Sequence, residues 1–333
     1  MTVFGRIYDW MTPYNPRLWT KEVIEPPAQV DYTRVLSGPP NRAATMVGGV
    51  MAALLGFMLV LPLLMQACFA ISYLVRGKPG GNYLNYANDA LAFKYFEGMA
   101  LSNLALAIFI PMALLLVRYL HQRPMAFASS VQPGLRWRYL LLCSTAAIVT
   151  VNLVLWTSRG FQPMEGAPQP RVVAWLVMIL ITSPLQAAGE EYLFRGYLTQ
   201  VLGSFLSNRW LAVLVASLGF AFVHGVQNLP LFLNRFAFGL LAGALVVVTG
   251  GLEATIAAHA VNNVFAFGYA ARFGGVAAAR GLTEVTWTTT AWNLAAYVLT
   301  GLACWAIGRA LKVAVRTPQG IERVPNKPTR NPV

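Results

Sequence analysis

Eight stretches of this chain are apolar over lengths that a lipid bilayer imposes: about 44–75, 98–117, 138–157, 171–188, 210–227, 234–250, 252–270 and 290–312. A helix that crosses the hydrocarbon core needs about 20 predominantly apolar residues. The chain is therefore expected to be an all-α, polytopic membrane protein with about eight transmembrane helices. Composition agrees, since 57% of the 333 residues are hydrophobic, 11% are charged and the mean hydropathy is +0.55, outside the range of soluble domains. The first run is long enough for one tilted helix. Only Gly250 and Gly251 part the sixth run from the seventh, so that turn must be tight, and counts of seven or nine also fit.

Charge sorts between the two sides of an eight-span chain. The side of both termini, with Arg195 and Arg209 assigned to it, holds 17 of the 25 lysines and arginines, and the other side holds 8. The positive-inside rule then places both termini in the cytoplasm. The net charge of +13 is thereby an orientation signal and an affinity for anionic lipid headgroups. No basic run with interleaved aromatics occurs, so membrane lipids, and no nucleic acid, are the expected partners. Residues 1–42 lack the apolar core of a signal peptide, so the N-terminus is not expected to be a cleaved targeting segment. Cys68, Cys143 and Cys304 stand alone in separate apolar runs and read as small core residues.

By content the chain divides into four parts. Residues 1–42 form a proline-broken cytoplasmic segment whose Trp10, Tyr14 and Trp19 suit the membrane interface. Residues 43–160 hold three supporting helices with almost no ionisable group at their centres. Residues 161–312 hold the remaining helices and nearly all the intramembrane polarity. Residues 313–333 are a basic, proline-containing tail expected to be largely disordered. No internal repeat is evident, which weighs against a transporter built from inverted halves.

Ten of the twelve acidic residues fall in tails, loops or span ends. Glu190 and Glu191, in GEEYLFRG, do not, and carboxylates at membrane depth are costly and usually paired or functional. Glu191 and Arg195 are four apart on one helical face, in the favourable order for an ion pair. Glu190 projects about 100° away and needs a partner from another helix. The candidates are His224, at the end of LGFAFVHG, and His259, in AAHAVNNV, with Asn263 one turn further on. Gathered by helix packing, a carboxylate and an imidazole can polarise a water while a second imidazole and an amide stabilise an oxyanion. Glu190, His224 and His259 are equally a donor set for zinc, whose bound water would then be the nucleophile. There is no HExxH motif, and the residues alone leave both chemistries open. Interhelical hydrogen bonding without catalysis is the plain alternative for each histidine and for Asn262 and Asn263.

The ordered set resembles a known family. GEEYLFRG is similar to EExxxR, Phe220 with His224 to FxxxH, and His259 with Asn263 to HxxxN of the CAAX-prenyl-protease and bacteriocin-processing proteins, over about residues 170–270. The resemblance implies an eight-helix intramembrane endopeptidase, a glutamate-type or metal-assisted hydrolase acting on a membrane-associated or prenylated protein or peptide. It also implies roles: Glu190 and His224 activate water, His259 and Asn263 hold the oxyanion, and Glu191, Arg195 and Phe220 support them. The family's distribution points to a bacterial inner membrane. A non-catalytic scaffold or peptide-immunity protein, and a transporter with a Glu/His proton path, are the competing readings.

Overall fold

The structure, a computed structural model, describes residues 23–319. The expectations for Trp10, Tyr14, Trp19 and the tail from 320 onward lie outside the described residues. The fold is all-α, and among the described residues the β pairing is confined to two isolated bridges, Asp31 with Arg316 and Ser130 with Gly251. Among the described residues the chain is carried by ten helices: α1 (Ala43–Val75), α2 (Tyr83–Leu91), α3 (Phe96–Leu120), α4 (Trp137–Ser158), α5 (Val172–Leu206), α6 (Arg209–Val223), α7 (Leu229–Thr249), α8 (Glu253–Phe273), α9 (Val276–Arg280) and α10 (Trp287–Ala310).

Each of the eight apolar runs is helical, and six of the helices are long and apolar enough to cross a membrane: α1, α3, α4, α5, α7 and α10. The protein is a polytopic all-α membrane protein. The two remaining runs fall short of the expected span for physical reasons. Helix α6 has 15 residues, and α8, long enough at 21, carries Glu253, His259, Asn262 and Asn263.

Local sequence sets the ends. The Asn208 side chain caps α6 by accepting from the Trp210 and Leu211 amides, Asn228 accepts from Leu231 N at the start of α7, and Thr286 accepts from Thr289 N at the start of α10. Such caps satisfy amides that the first turn leaves without partners. Between α7 and α8, Gly250 adopts φ +71°, and a Cβ there would lie 2.5 Å from the Ala314 carbonyl oxygen. Glycine is the residue that fits both constraints.

Helix α5 departs most from expectation. The apolar run ends near residue 188, yet the helix continues to Leu206 through a seven-residue π-helical stretch, Tyr192–Leu198. It can continue because its charges neutralise one another inside the protein. Arg195, 2% exposed, is therefore buried in the bundle and does not count among the loop cations.

Helix α5 packs on α8 and α3, α6 on α7, and α4 on both α8 and α10. Loops gather at two ends. At one end Val131 N donates to Gly250 O at 2.8 Å, and Arg136 pairs with Glu253 through Nη2 at 2.6 Å. At the other, Gln169 N donates to Ala271 O at 2.7 Å and Asn228 N to Thr283 O at 3.4 Å. The start of the expected disordered tail is ordered: Thr317 is buried, its amide donating to Val30 O at 2.9 Å and its hydroxyl to Pro27 O at 2.6 Å. Cys143 and Cys304 are fully buried and Cys68 is half-buried. The lone cysteines of α4 and α10 meet, with Cys304 Sγ 3.9 Å from the Cys143 carbonyl oxygen.

Candidate active site

Glu190 and Glu191 end the regular α-helical part of α5, and the π-helical stretch begins at Tyr192. Short π segments inside α-helices recur at functional sites because they re-aim side chains that a regular helix would align. Both carboxylates are buried, Glu191 completely. Arg195 Nη1 donates to Glu191 Oε1 at 3.0 Å, the i,i+4 pair expected from the sequence. The same oxygen accepts a second hydrogen bond, from His259 Nδ1 at 2.8 Å. Glu191 is thus more than the counter-ion of Arg195; it orients a histidine from α8.

A carboxylate can only accept, so His259 Nδ1 carries the proton and Nε2 is the nitrogen turned toward Glu190. That nitrogen lies 3.7 Å from Glu190 Oε2, which is buried and has no hydrogen-bond partner. Glu190 is held from its other oxygen, where Gln186 Nε2 donates to Oε1 at 2.6 Å. Gln186 Oε1 in turn accepts from Asn263 Nδ2 at 2.8 Å. One amide therefore ties the carboxylate of α5 to the asparagine of α8. Sequence reasoning missed Gln186; its signal is a buried amide four residues before Glu190 in an otherwise apolar run.

Aromatic rings floor the site. Arg195 lies over Phe220, its Cζ 3.9 Å from the ring centroid, and over Phe238 at 5.1 Å, cation–π contacts that hold a buried guanidinium without a further anion. Phe238 also packs edge-on against His259 at 5.0 Å between centroids. The Phe220 ring lies tilted against His224 at 4.5 Å between centroids, and the Phe220 carbonyl accepts from His224 Nδ1 at 2.8 Å. In a neutral His224 that bond leaves the Nε2 lone pair free. His224 caps α6 at its C-terminus, and the Phe220 ring beside it also packs edge-on against His259 at 6.3 Å between centroids. Beside it, Arg235 Nη1 donates to the carbonyls of His224 at 2.9 Å and Gly225 at 3.4 Å.

Glu190, Glu191, Arg195, Gln186, Phe220, His224, His259 and Asn263 thus assemble from α5, α6 and α8 around one polar cluster. Among the described residues no three His, Cys, Asp or Glu side chains converge as a metal-ligand set. His259 Nδ1 and His224 Nδ1 are both already engaged. A third buried acid escaped the sequence reading, which took Glu253 for a span-end residue. Glu253 is fully buried and binds Arg136 through both carboxylate oxygens, at 2.9 Å and 2.6 Å.

Residues 172–265 match the Rce1-like family, described as type II CAAX prenyl endopeptidase Rce1-like. That span contains every site residue named above and bears out the resemblance read from the three motifs. A curated relative, the uncharacterized protein YyaK of Bacillus subtilis (strain 168), is 25% identical over 207 residues, covering 59% of this chain and 69% of its own. No solved structure matches.

Proposed function

We propose that this protein is an intramembrane endopeptidase that hydrolyses a peptide bond in a membrane-associated or prenylated protein or peptide. Glu190 Oε2, a buried acceptor without a partner in a cluster drawn from three helices, is the observation that carries this reading. Its Oε2 and the Nε2 lone pair of His224 take up the proton of a water whose oxygen attacks the scissile carbonyl. The resulting oxyanion accepts from the second N–H of Asn263 and from His259, which when charged donates through Nε2 while Glu191 balances it at Nδ1. Collapse expels the amine, which leaves with a proton returned from the Glu190 and His224 pair. The match to type II CAAX prenyl endopeptidases over these residues supports both the reaction class and the substrate class. The charge asymmetry of the loops supports cytoplasmic termini, and a bacterial inner membrane is the proposed location.

The test is cleavage of a quenched fluorescent peptide library, prenylated and unprenylated, by detergent-purified protein. Wild type is expected to cleave, with activity that survives a zinc chelator, while Glu190→Gln, folded and equal in amount, is inactive. Equal cleavage by both proteins, or none by the wild type, overturns the reading.

A further inference from the structure

Two concavities lie outside the catalytic cluster and share part of their walls. One, of about 700 Å³, sits at the end of the bundle that gathers the Asp31–Arg316 bridge. Its wall carries Arg209, Arg309, Lys312 and Arg316, framed by Trp210 and Trp305. None of these four cations forms an ion pair among the described residues. The one acid in the wall, Asp31, is already engaged, its Oδ1 accepting from Thr33 N at 3.0 Å and Thr33 Oγ1 at 2.7 Å. The second concavity, of about 350 Å³, runs between α7, α8 and α10 and is lined by apolar residues including Leu241, Ala244 and Gly301. Val248 and Trp305 belong to both.

Four cations without an ion-pair partner among the described residues, facing one acid and set beside two half-exposed tryptophans, mark the level of the headgroups, where aromatic belts and basic clusters collect. From Val248 to Phe238 the groove follows ten residues of α7, about 15 Å at 1.5 Å per residue. That is the depth of one leaflet of a ~30 Å hydrocarbon core. A basic mouth on an apolar groove one leaflet deep fits a molecule with an anionic phosphate at one end and an acyl chain at the other. We infer that this joint site binds an anionic phospholipid, with its phosphate among Arg209, Arg309, Lys312 and Arg316 and one acyl chain in the α7–α10 groove. The bound chain lies on the outer side of Phe238, whose ring contacts His259 and Arg195, and on Tyr297, which packs on Phe238 at 4.9 Å. The lipid therefore buttresses the wall of the polar cluster. The inference stands apart from the catalytic proposal, because it concerns occupancy and stability rather than cleavage.

The experiment is native mass spectrometry and thermal melting of the full-length protein in nanodiscs of phosphatidylcholine with and without phosphatidylglycerol. Wild type is expected to retain phosphatidylglycerol preferentially and to melt higher in its presence, the preference fading as salt rises. Each phosphate-facing cation near a membrane surface strengthens association roughly fivefold. The triple variant Arg309→Gln, Lys312→Gln, Arg316→Gln is therefore expected to lose roughly a hundredfold in retention. Gly301→Leu tests the groove separately, since a Cβ at Gly301 meets nothing within 4 Å and the larger side chain fills the chain's path. It is expected to weaken phosphatidylglycerol retention while the protein still folds. Equal retention of both lipids by the wild type, or an unchanged preference in either variant, overturns the inference. So does inorganic phosphate alone reproducing the melting shift, which would make the mouth a free-anion site. Retention of a prenylated peptide that Gly301→Leu blocks, with no phosphatidylglycerol preference, would give the groove to substrate and overturn it as well.

Discussion

At the residue scale the cluster works by sharing. Glu191 Oε1 accepts from Arg195 and from His259 at once, so removing the arginine leaves a buried carboxylate facing one imidazole. Arg195→Ala is expected to cost about 3–5 kcal/mol, the usual penalty for breaking a buried pair from one side. The loss should appear as less folded protein and a lower melting temperature in detergent. Pairing it with Glu191→Gln should recover part of that loss, and normal accumulation of the single variant would refute the buttress role. Gln186 is a positioning residue, because it reaches the reaction only through Glu190 and Asn263. Gln186→Leu keeps the size and deletes both bonds; a hydrogen bond to a charged group is worth roughly 1.5–3 kcal/mol. Kcat should therefore fall on the order of tenfold to a hundredfold with KM little changed, while the melting temperature drops because Glu190 Oε1 and Asn263 Nδ2 lose their partner. A variant whose KM rises at constant kcat would instead place Gln186 in substrate binding.

At the scale of elements, the sequence made visible what lies in hydrophobic runs and motif spacing, and hid what depends on packing. The eight apolar runs each became a helix, and Glu190, His224, His259 and Asn263 were identifiable because polarity at membrane depth is costly enough to stand out. The continuation of α5 to Leu206 was not legible, since Glu191 and Arg195, which follow the apolar run, pair with each other and are held by His259 of α8 and the rings of α6 and α7. Glu253 was hidden for the opposite reason: it sits at the end of an apolar run, where an acid normally meets water, and only the approach of Arg136, just before α4, shows that it is buried. The tight turn after α7 was readable as Gly250–Gly251, but the tail packed against it was not. Gly250→Ala places a side chain in a left-handed conformation, costing about 1–2 kcal/mol, and drives its Cβ toward the Ala314 carbonyl. The expected outcome is a modest drop in melting temperature with new protease sensitivity confined to residues 313–319. An unchanged digestion pattern would show that the tail is held by Thr317 and its partners alone.

At the scale of the whole molecule, one end of the bundle is sewn together by polar groups from segments distant in the chain. His121 is the clearest stitch. It lies between Arg118 and Arg123 in the sequence, yet it is fully buried, its Nδ1 donating to Asn41 Oδ1 at 2.9 Å and its Nε2 bonded to Tyr197 Oη at 2.9 Å. It thereby joins the segment before α1, the connection after α3 and the π-helical part of α5. Burial, with a smaller contribution from the charge of Arg123, lowers its pKa to about 4, so the folded protein holds it neutral. An unfolded chain protonates the same ring near pH 6.5. As pH falls through 6.5 the unfolded state takes up a proton that the folded state refuses, so stability declines from there down to about pH 4 and then levels off. The full loss is ~3 kcal/mol, and about 2 kcal/mol of it is expressed by pH 5. Melting in detergent between pH 7.5 and 5, wild type beside His121→Gln, isolates this group, since the other histidines are common to both proteins and ordinary carboxylates titrate mostly below that window. Wild type is expected to lose melting temperature steadily across it, and His121→Gln, which cannot titrate, to show a flatter profile from a lower starting point. Parallel profiles for the two proteins would show that the ring is not held neutral at the junction.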